Sequence, residues 1–414
     1  MRPIPFTRMT LAASNANRPD SSALAVPAPP AAAYEGAVVY MYAFDVAYEM
    51  SRKPVGQLLG QPVAEFVVGA SKRSPRQFLF YRPQMVRLPA VERVGHRGLM
   101  RLEWSVKIMA IGAISITVRV PFRVNRVEDL VDYHDLRFPD GTSLYQDVRR
   151  LAEDVRRELL PYYVRPVEQL RDEEAYTVFC VHSPFRVGGR EPVRNVGASE
   201  GSPASMGAEE WLHANRREIA ALLTEERDPG RLSHQEAEES TVKYLSYYDR
   251  DLVVVDWDAA LVVDEPQNID ETLYLMELAN VQLAELEAYD RMLDDAVERS
   301  YRDISQRRWK GWQATGVQRE LREIRVDLAR LSDELSNITK FFGDWHLARI
   351  YQSLSARFHL ADWHRAIDEK LKTMDDLYHL LRTEQNNRWM LILETSIVLL
   401  FVIDLTFIVV MGLR

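Results

Sequence analysis

The run from Trp389 to Met411, WMLILETSIVLLFVIDLTFIVVM, constrains this chain more than any other stretch. A helix of that length reaches about 34 Å, enough to cross the roughly 30 Å hydrocarbon core of a bilayer. Trp389 stands beside Arg388, where an interfacial aromatic belongs. Lys370, Lys372, Arg382 and Arg388 precede the run and Arg414 follows it. The positive-inside rule then puts the bulk of the chain on the cytoplasmic side. The expectation is a single-pass protein with a C-terminal anchor. Its place is the bacterial inner membrane, or the mitochondrial inner membrane in a eukaryote.

Glu394 and Asp404 interrupt the apolar run. A charge near the bilayer centre costs about 2.5–3.5 kcal/mol on insertion scales, so such residues face a partner or a cavity. Ten positions of helix offset the two by about 80°. Contact with another membrane helix is the favoured reading, and protonation in lipid is the alternative.

Before the span the chain is ordinary in composition, 47% hydrophobic and 27% charged, with a formal net charge of −9. That charge argues against direct nucleic-acid binding. Cys180 is the single cysteine, which rules out an intramolecular disulfide and a cysteine-rich zinc site. Arginine far outnumbers lysine, which points to a GC-rich bacterial genome. Residues 1–33 are rich in Ala, Ser, Asn and Pro and bury too little apolar surface to offset their ordering entropy, so a disordered tail is expected.

From Tyr34 to Glu265 strand and helix patterns interleave, the signature of an α+β domain. Val38–Phe44, Gln77–Tyr81, Val86–Leu88 and Tyr176–His182 read as strands. Arg101–Val120 reads as two strands meeting at Gly112. Leu144, Val148, Leu151, Val155 and Leu159 recur at helical spacing and Pro161 stops them. Residues 187–208 read as a flexible loop, residues 209–225 as a helix, and Asp251–Val255 with Ala259–Val263 as a hairpin. From 266 to 388 the pattern is helical, with Asp270 as the expected N-cap. Leu321, Ile324, Leu328, Leu331, Leu335 and Ile338 lie on a heptad seam over 317–342, expected to form a coiled-coil-like stalk. The seam pairs either within the chain or with a second copy. A break near Phe358 precedes a second stripe, Leu360 to Leu381, that runs into the span.

Candidate chemistry is sparse. Asp249, Asp251, Asp256, Asp258 and Asp264 crowd one hairpin and could attract a divalent cation, but they lack the order of a calcium loop. Cys180 and His182 share a strand face about 6.5–7 Å apart, too far for a nucleophile and its base. His359 and His364 are poorly spaced for a metal. No phosphate loop, zinc-protease motif, dinucleotide fingerprint or serine elbow is present. No catalytic residue and no cofactor is expected.

Leu278-Ala279-Asn280-Val281-Gln282-Leu283, the acidic and apolar stretch Leu286 to Leu293, the heptad helix, and a span that begins Trp389-Met390 and carries carboxylates follow one another in order. From about Val254 to Met411 this resembles the YagE-type family, whose eukaryotic members are called "required for meiotic nuclear division" proteins. The resemblance implies a membrane-tethered, oligomeric protein without catalytic residues, and the mitochondrial relatives imply support of translation at the inner membrane. Magnesium channels of the CorA type share the order of parts, but they need two spans and a Gly-Met-Asn mouth, and Val410-Met411-Gly412 is not that motif.

The expected function is a membrane-anchored, oligomeric scaffold that presents its α+β domain to a protein partner. The alternatives are an ion-transport component and a membrane-tethered enzyme with a site near the 249–264 hairpin.

Overall fold

The computed structural model of the chain describes residues 34–51, 53–66, 83–171, 173–182, 207–305, 322, 325–326 and 345–412. The expected tail over 1–33, the strand Gln77–Tyr81, the loop 187–208 apart from its last two residues, and all six seam residues lie outside these.

Ten strands form one sheet: β1 (Tyr34–Asp45), β2 (Ala64–Glu65), β3 (Gln84–Arg87), β4 (Val91–Gly95), β5 (Gly98–Ile108), β6 (Ala113–Val124), β7 (Glu174–His182), β8 (Tyr244–Leu245), β9 (Leu252–Val255) and β10 (Ala259–Asp264). Their order is β8–β9–β10–β7–β1–β6–β5–β3–β2, with β4 paired to β5. Neighbours are antiparallel except β7 and β10, where Cys180 faces Val262 in a parallel pair. β1 takes the middle because it is apolar on both faces. Val38, Tyr40, Tyr42 and Phe44 enter one core, and Val39, Met41 and Ala43 enter the other. A strand buried on both sides reads as a continuous β-branched and aromatic run, as this one does.

The first core is closed by helix α1 (Leu144–Leu159) and by α2 (Ala208–Ala214) and α3 (Arg216–Leu223). Ser143 caps α1 by accepting from the Gln146 amide, and the Gln146 side chain accepts from the Ser143 amide. α2 and α3 replace the single helix expected over 209–225. The backbone departs from helix at Asn215, whose side-chain amide donates to the Trp211 carbonyl. α4 (His234–Thr241) had no clear apolar stripe in sequence.

The second core is closed by α5 (Pro266–Ser305), α6 (Trp345–Arg357) and α7 (Leu360–Gly412). α5 begins four residues before the expected cap. Pro266 suits a first helical turn, where its missing N–H is no loss, and Asp270 instead pairs with Arg119 on the sheet. Tyr351 of α6 donates to Gln282 of α5, and Lys370 of α7 pairs with Asp290 and Asp294 further along α5. Residue numbers ascend together, so α6 and then α7 run in the direction of α5. His359, at φ +50, makes the break between them. Ile367, Leu371 and Met374 are buried in this core. α5 and α6 are therefore packed on the sheet and α7 on α5 as far as Met374, and no long coiled-coil stalk is shown among the described residues. The reason is visible in α5, which is buried from Glu271 to Gln282 on every side, whereas a free stalk keeps a polar flank.

α7 continues without interruption to Gly412, 53 residues in all. Its stretch Trp389–Thr406 has mean hydropathy 2.0, and none of it is buried. One C-terminal helix is thus long and apolar enough to cross a membrane.

Candidate functional site

The two faces of the sheet differ beyond β1. On β5, Leu102, Trp104 and Val106 turn into the first core, while Arg101, Glu103, Ser105 and Lys107 turn to the α5 side. On β6, Ser115, Thr117 and Arg119 share that side, in register with Lys107, Ser105 and Glu103. The α5 side of the sheet is apolar over β1, β7, β9 and β10 and polar over β6, β5 and β3. α5 covers the apolar half. Over the polar half lies a cavity of about 500 Å³, bounded by α5 residues Asp270, Leu273, Tyr274 and Glu277 and by Phe66 and Met85. That volume falls in the range of small-molecule sites.

The floor is an ion pair between Lys107 and Glu277, whose side chains are 8% and 2% exposed. Glu277 also accepts from Ser115 Oγ at 2.7 Å and from Thr117 Oγ1 at 3.3 Å. The Lys107 ammonium lies 4.5 Å from the Phe66 ring centre, within cation–π range. Phe66 packs on Tyr274 with ring centres 5.2 Å apart. Burial, and then the Glu277 carboxylate, push the Tyr274 phenol up, so it stays a neutral hydroxyl. Nearer the rim, Arg119 pairs with Asp270 at 2.5 Å and Arg101 with Glu103 at 3.2 Å. Arg87, opposite Ser105 on β3, is exposed and has no acid partner among the described residues.

The residues singled out from sequence fall elsewhere. Asp251 accepts from the amides of Tyr247 and Tyr248, Asp256 from that of Trp257, and Asp264 from that of Glu265. These carboxylates shape turns, and none of them lines the cavity. Among the described residues no group of three or more His, Cys, Asp or Glu is arranged to hold a metal. Cys180 is buried in the second core, and burial pushes its thiol up to about 12, which leaves no reactive thiolate. His359 sits at the helix break beside Asp362, and burial lowers the pKa of His364. Glu394 and Asp404 lie on the exposed surface of α7.

A model of the family described as "Uncharacterized protein MJ0711, N-terminal domain" matches residues 35–270, more than half of the chain. The chain belongs to this family. The matched span takes in the ten-stranded sheet and the sheet side of the cavity from Lys107 to Arg119, and it ends at Asp270 on the first turns of α5, before Glu277. "Uncharacterized protein MJ0711" of Methanocaldococcus jannaschii is 24% identical over 161 residues, 39% of this chain and 50% of that protein. The chain spans about half the length of this curated relative. No solved structure matches. This corrects the likeness to YagE-type proteins, to which no match is found. That likeness rested on helices after Val254 and on one apolar span, patterns that unrelated tethered proteins share. The family is decided by the sheet, where the likeness was silent.

Asp45, Glu174, Glu287 and Arg291 form a second charged cluster where β1 and β7 meet α5. Burial, then a hydrogen bond with Glu287, push the Glu174 carboxyl up to about 8, and burial pushes Asp45 up to about 6 despite Arg291 and Arg171. A carboxyl whose folded pKa is raised stabilises the fold fully at low pH, and that contribution is lost as pH climbs through the folded value. For Glu174 the loss runs from about 4.5 to about 8. Glu174→Gln is expected to remove it. The variant should match wild type near the lower bound and exceed it by about 1–2 kcal/mol above the upper one, after a discount for partial exposure. Urea titrations across that range measure the crossing.

Proposed function

We propose that this protein is a membrane-anchored module that holds its mixed α/β body at the cytoplasmic surface of a bilayer and there assembles with other proteins. The observation that carries the reading is the continuity of α7. Its first turns are pinned into the second core by Ile367, Leu371 and Met374, and the same helix runs on as the exposed apolar stretch Trp389–Thr406. An exposed apolar surface of that size is untenable in water and is satisfied by lipid. A rigid helix also fixes the body's orientation to the membrane.

Glu394 and Asp404 give the span polar points at which to meet another membrane helix, and the heptad residues Leu321, Ile324, Leu328, Leu331, Leu335 and Ile338 are assigned to a seam within the chain. Arg325, inside the heptad stretch, pairs with Asp375 of α7 at 2.6 Å. That pairing supports a seam closed within the chain, with the oligomer formed by the spans.

Full-length protein is expected to pellet with membranes, to resist alkaline carbonate and to be released by mild detergent. A chain ending at Arg388 is expected in the supernatant. Mass photometry of the detergent-released protein reads the assembly. Full-length protein that stays in the supernatant without detergent ends the tether, and a strict monomer ends the assembly.

A further inference from the structure

We infer that the cavity between the polar half of the sheet and α5 binds a small organic anion, a carboxylate or phosphate ester carried on an apolar body, with Arg87 and Arg119 holding the charge. The inference is independent of the tether.

Charge decides the sign of the ligand. Among the described residues, four cationic side chains line the cavity, Arg87, Arg101, Lys107 and Arg119, against three carboxylates, Glu103, Asp270 and Glu277. The lining is thus net positive in a chain whose formal net charge is −9. Each carboxylate is already taken. Glu277 holds Lys107 and accepts from Ser115, Asp270 holds Arg119, and Glu103 holds Arg101. What remains is the guanidinium of Arg87, on a strand directly across from the hydroxyl of Ser105. A planar fork of N–H donors matches a carboxylate or phosphate better than a single ammonium does. The Arg119–Asp270 pair is partly exposed, so Asp270 can yield Arg119 to a ligand at small cost.

The apolar body follows from the opposite wall. Leu273, Tyr274 and Phe66 face the cationic strip across a space too large for an ion alone. The deep Lys107–Glu277 pair closes the floor without a net charge, so it neither attracts nor repels the ligand strongly. The lining is thus a polar strip facing an apolar wall, which suits a ligand with a charged end and an apolar body.

The test uses full-length protein in a non-ionic detergent. The probes are phenyl phosphate, benzoate, inorganic phosphate and benzyl alcohol, read by calorimetry and by thermal midpoint. At least one of the two aryl anions is expected to bind saturably in the millimolar range or tighter, and to outbind inorganic phosphate and benzyl alcohol. Which one binds distinguishes a phosphate ester from a carboxylate. Arg87→Ala and Arg119→Gln are each expected to weaken that binding about tenfold or more. Arg87 is exposed, so its variant should fold, and an unchanged circular dichroism spectrum checks this. Absence of saturable binding by both aryl anions overturns the inference. So does binding that both substitutions leave unchanged, or equal binding of benzyl alcohol.

Discussion

Lys107→Met is expected to destabilise the soluble body by about 3–5 kcal/mol, which is among the largest effects of any single side chain here. The substitution keeps the length of the side chain and removes its charge. Glu277 is then left 2% exposed, with only the hydroxyls of Ser115 and Thr117 to satisfy it. An uncompensated charge at that depth is far costlier than the pair was favourable. Glu277→Leu is expected to cost less, because Lys107 is longer and can carry its ammonium outward toward the cavity. The double variant Lys107→Met, Glu277→Leu should recover most of the loss of the first. Guanidinium titrations of the three variants give the coupling as a double-mutant cycle. A double variant that loses the sum of the two single losses would show that the two side chains do not act as a pair.

That pair marks where sequence reading stops. The hairpin of β9 and β10, the turn at Gly112, α1 with its stop near Pro161 and the apolar end of α7 are all local patterns, and each was legible. The polar strip was half legible. Arg101, Glu103, Ser105 and Lys107 alternate with Leu102, Trp104 and Val106, so one face of β5 had to be polar. Alternation alone does not separate a face in water from a face lining a cavity. The difference is made by α5, more than 150 residues away, which brings Glu277 onto Lys107. Glu277 in turn looked like one more solvated acid on a long helix. The helices after residue 265 misled for a related reason. An amphipathic stripe does not say what it packs on, and for α5 and α6 that partner is a sheet face distant in sequence. The resemblance drawn from those helices failed at the same point, since it used the part of the chain with the least distinctive pattern.

Gly112→Ala is expected to be comparably damaging, and to a different part of the fold. Gly112 ends the turn between β5 and β6 at φ +98, a backbone region that side chains rarely adopt. Its carbonyl accepts from the amides of Val46 and Ala47 at 3.1 and 3.0 Å. That bond pulls the chain in so closely that a Cβ on Gly112 would lie 1.9 Å from the Ala47 carbonyl oxygen and 2.7 Å from its carbon. Both atoms are backbone, so no rotamer change relieves the contact. The two effects can be separated, because Gly98 has nearly the same φ, +102, with no atom within 4 Å of its Cβ position. Gly98→Ala therefore measures conformational strain alone, about 1–2 kcal/mol. Gly112→Ala carries that strain plus a backbone clash, and is expected to lose roughly 3 kcal/mol or more. Thermal or urea midpoints of the two variants, taken side by side, give the cost of the close approach as their difference. Equal losses at both positions would mean that the strand Ala47–Met50 gives way freely, and that it does not brace the β5–β6 turn beside Lys107.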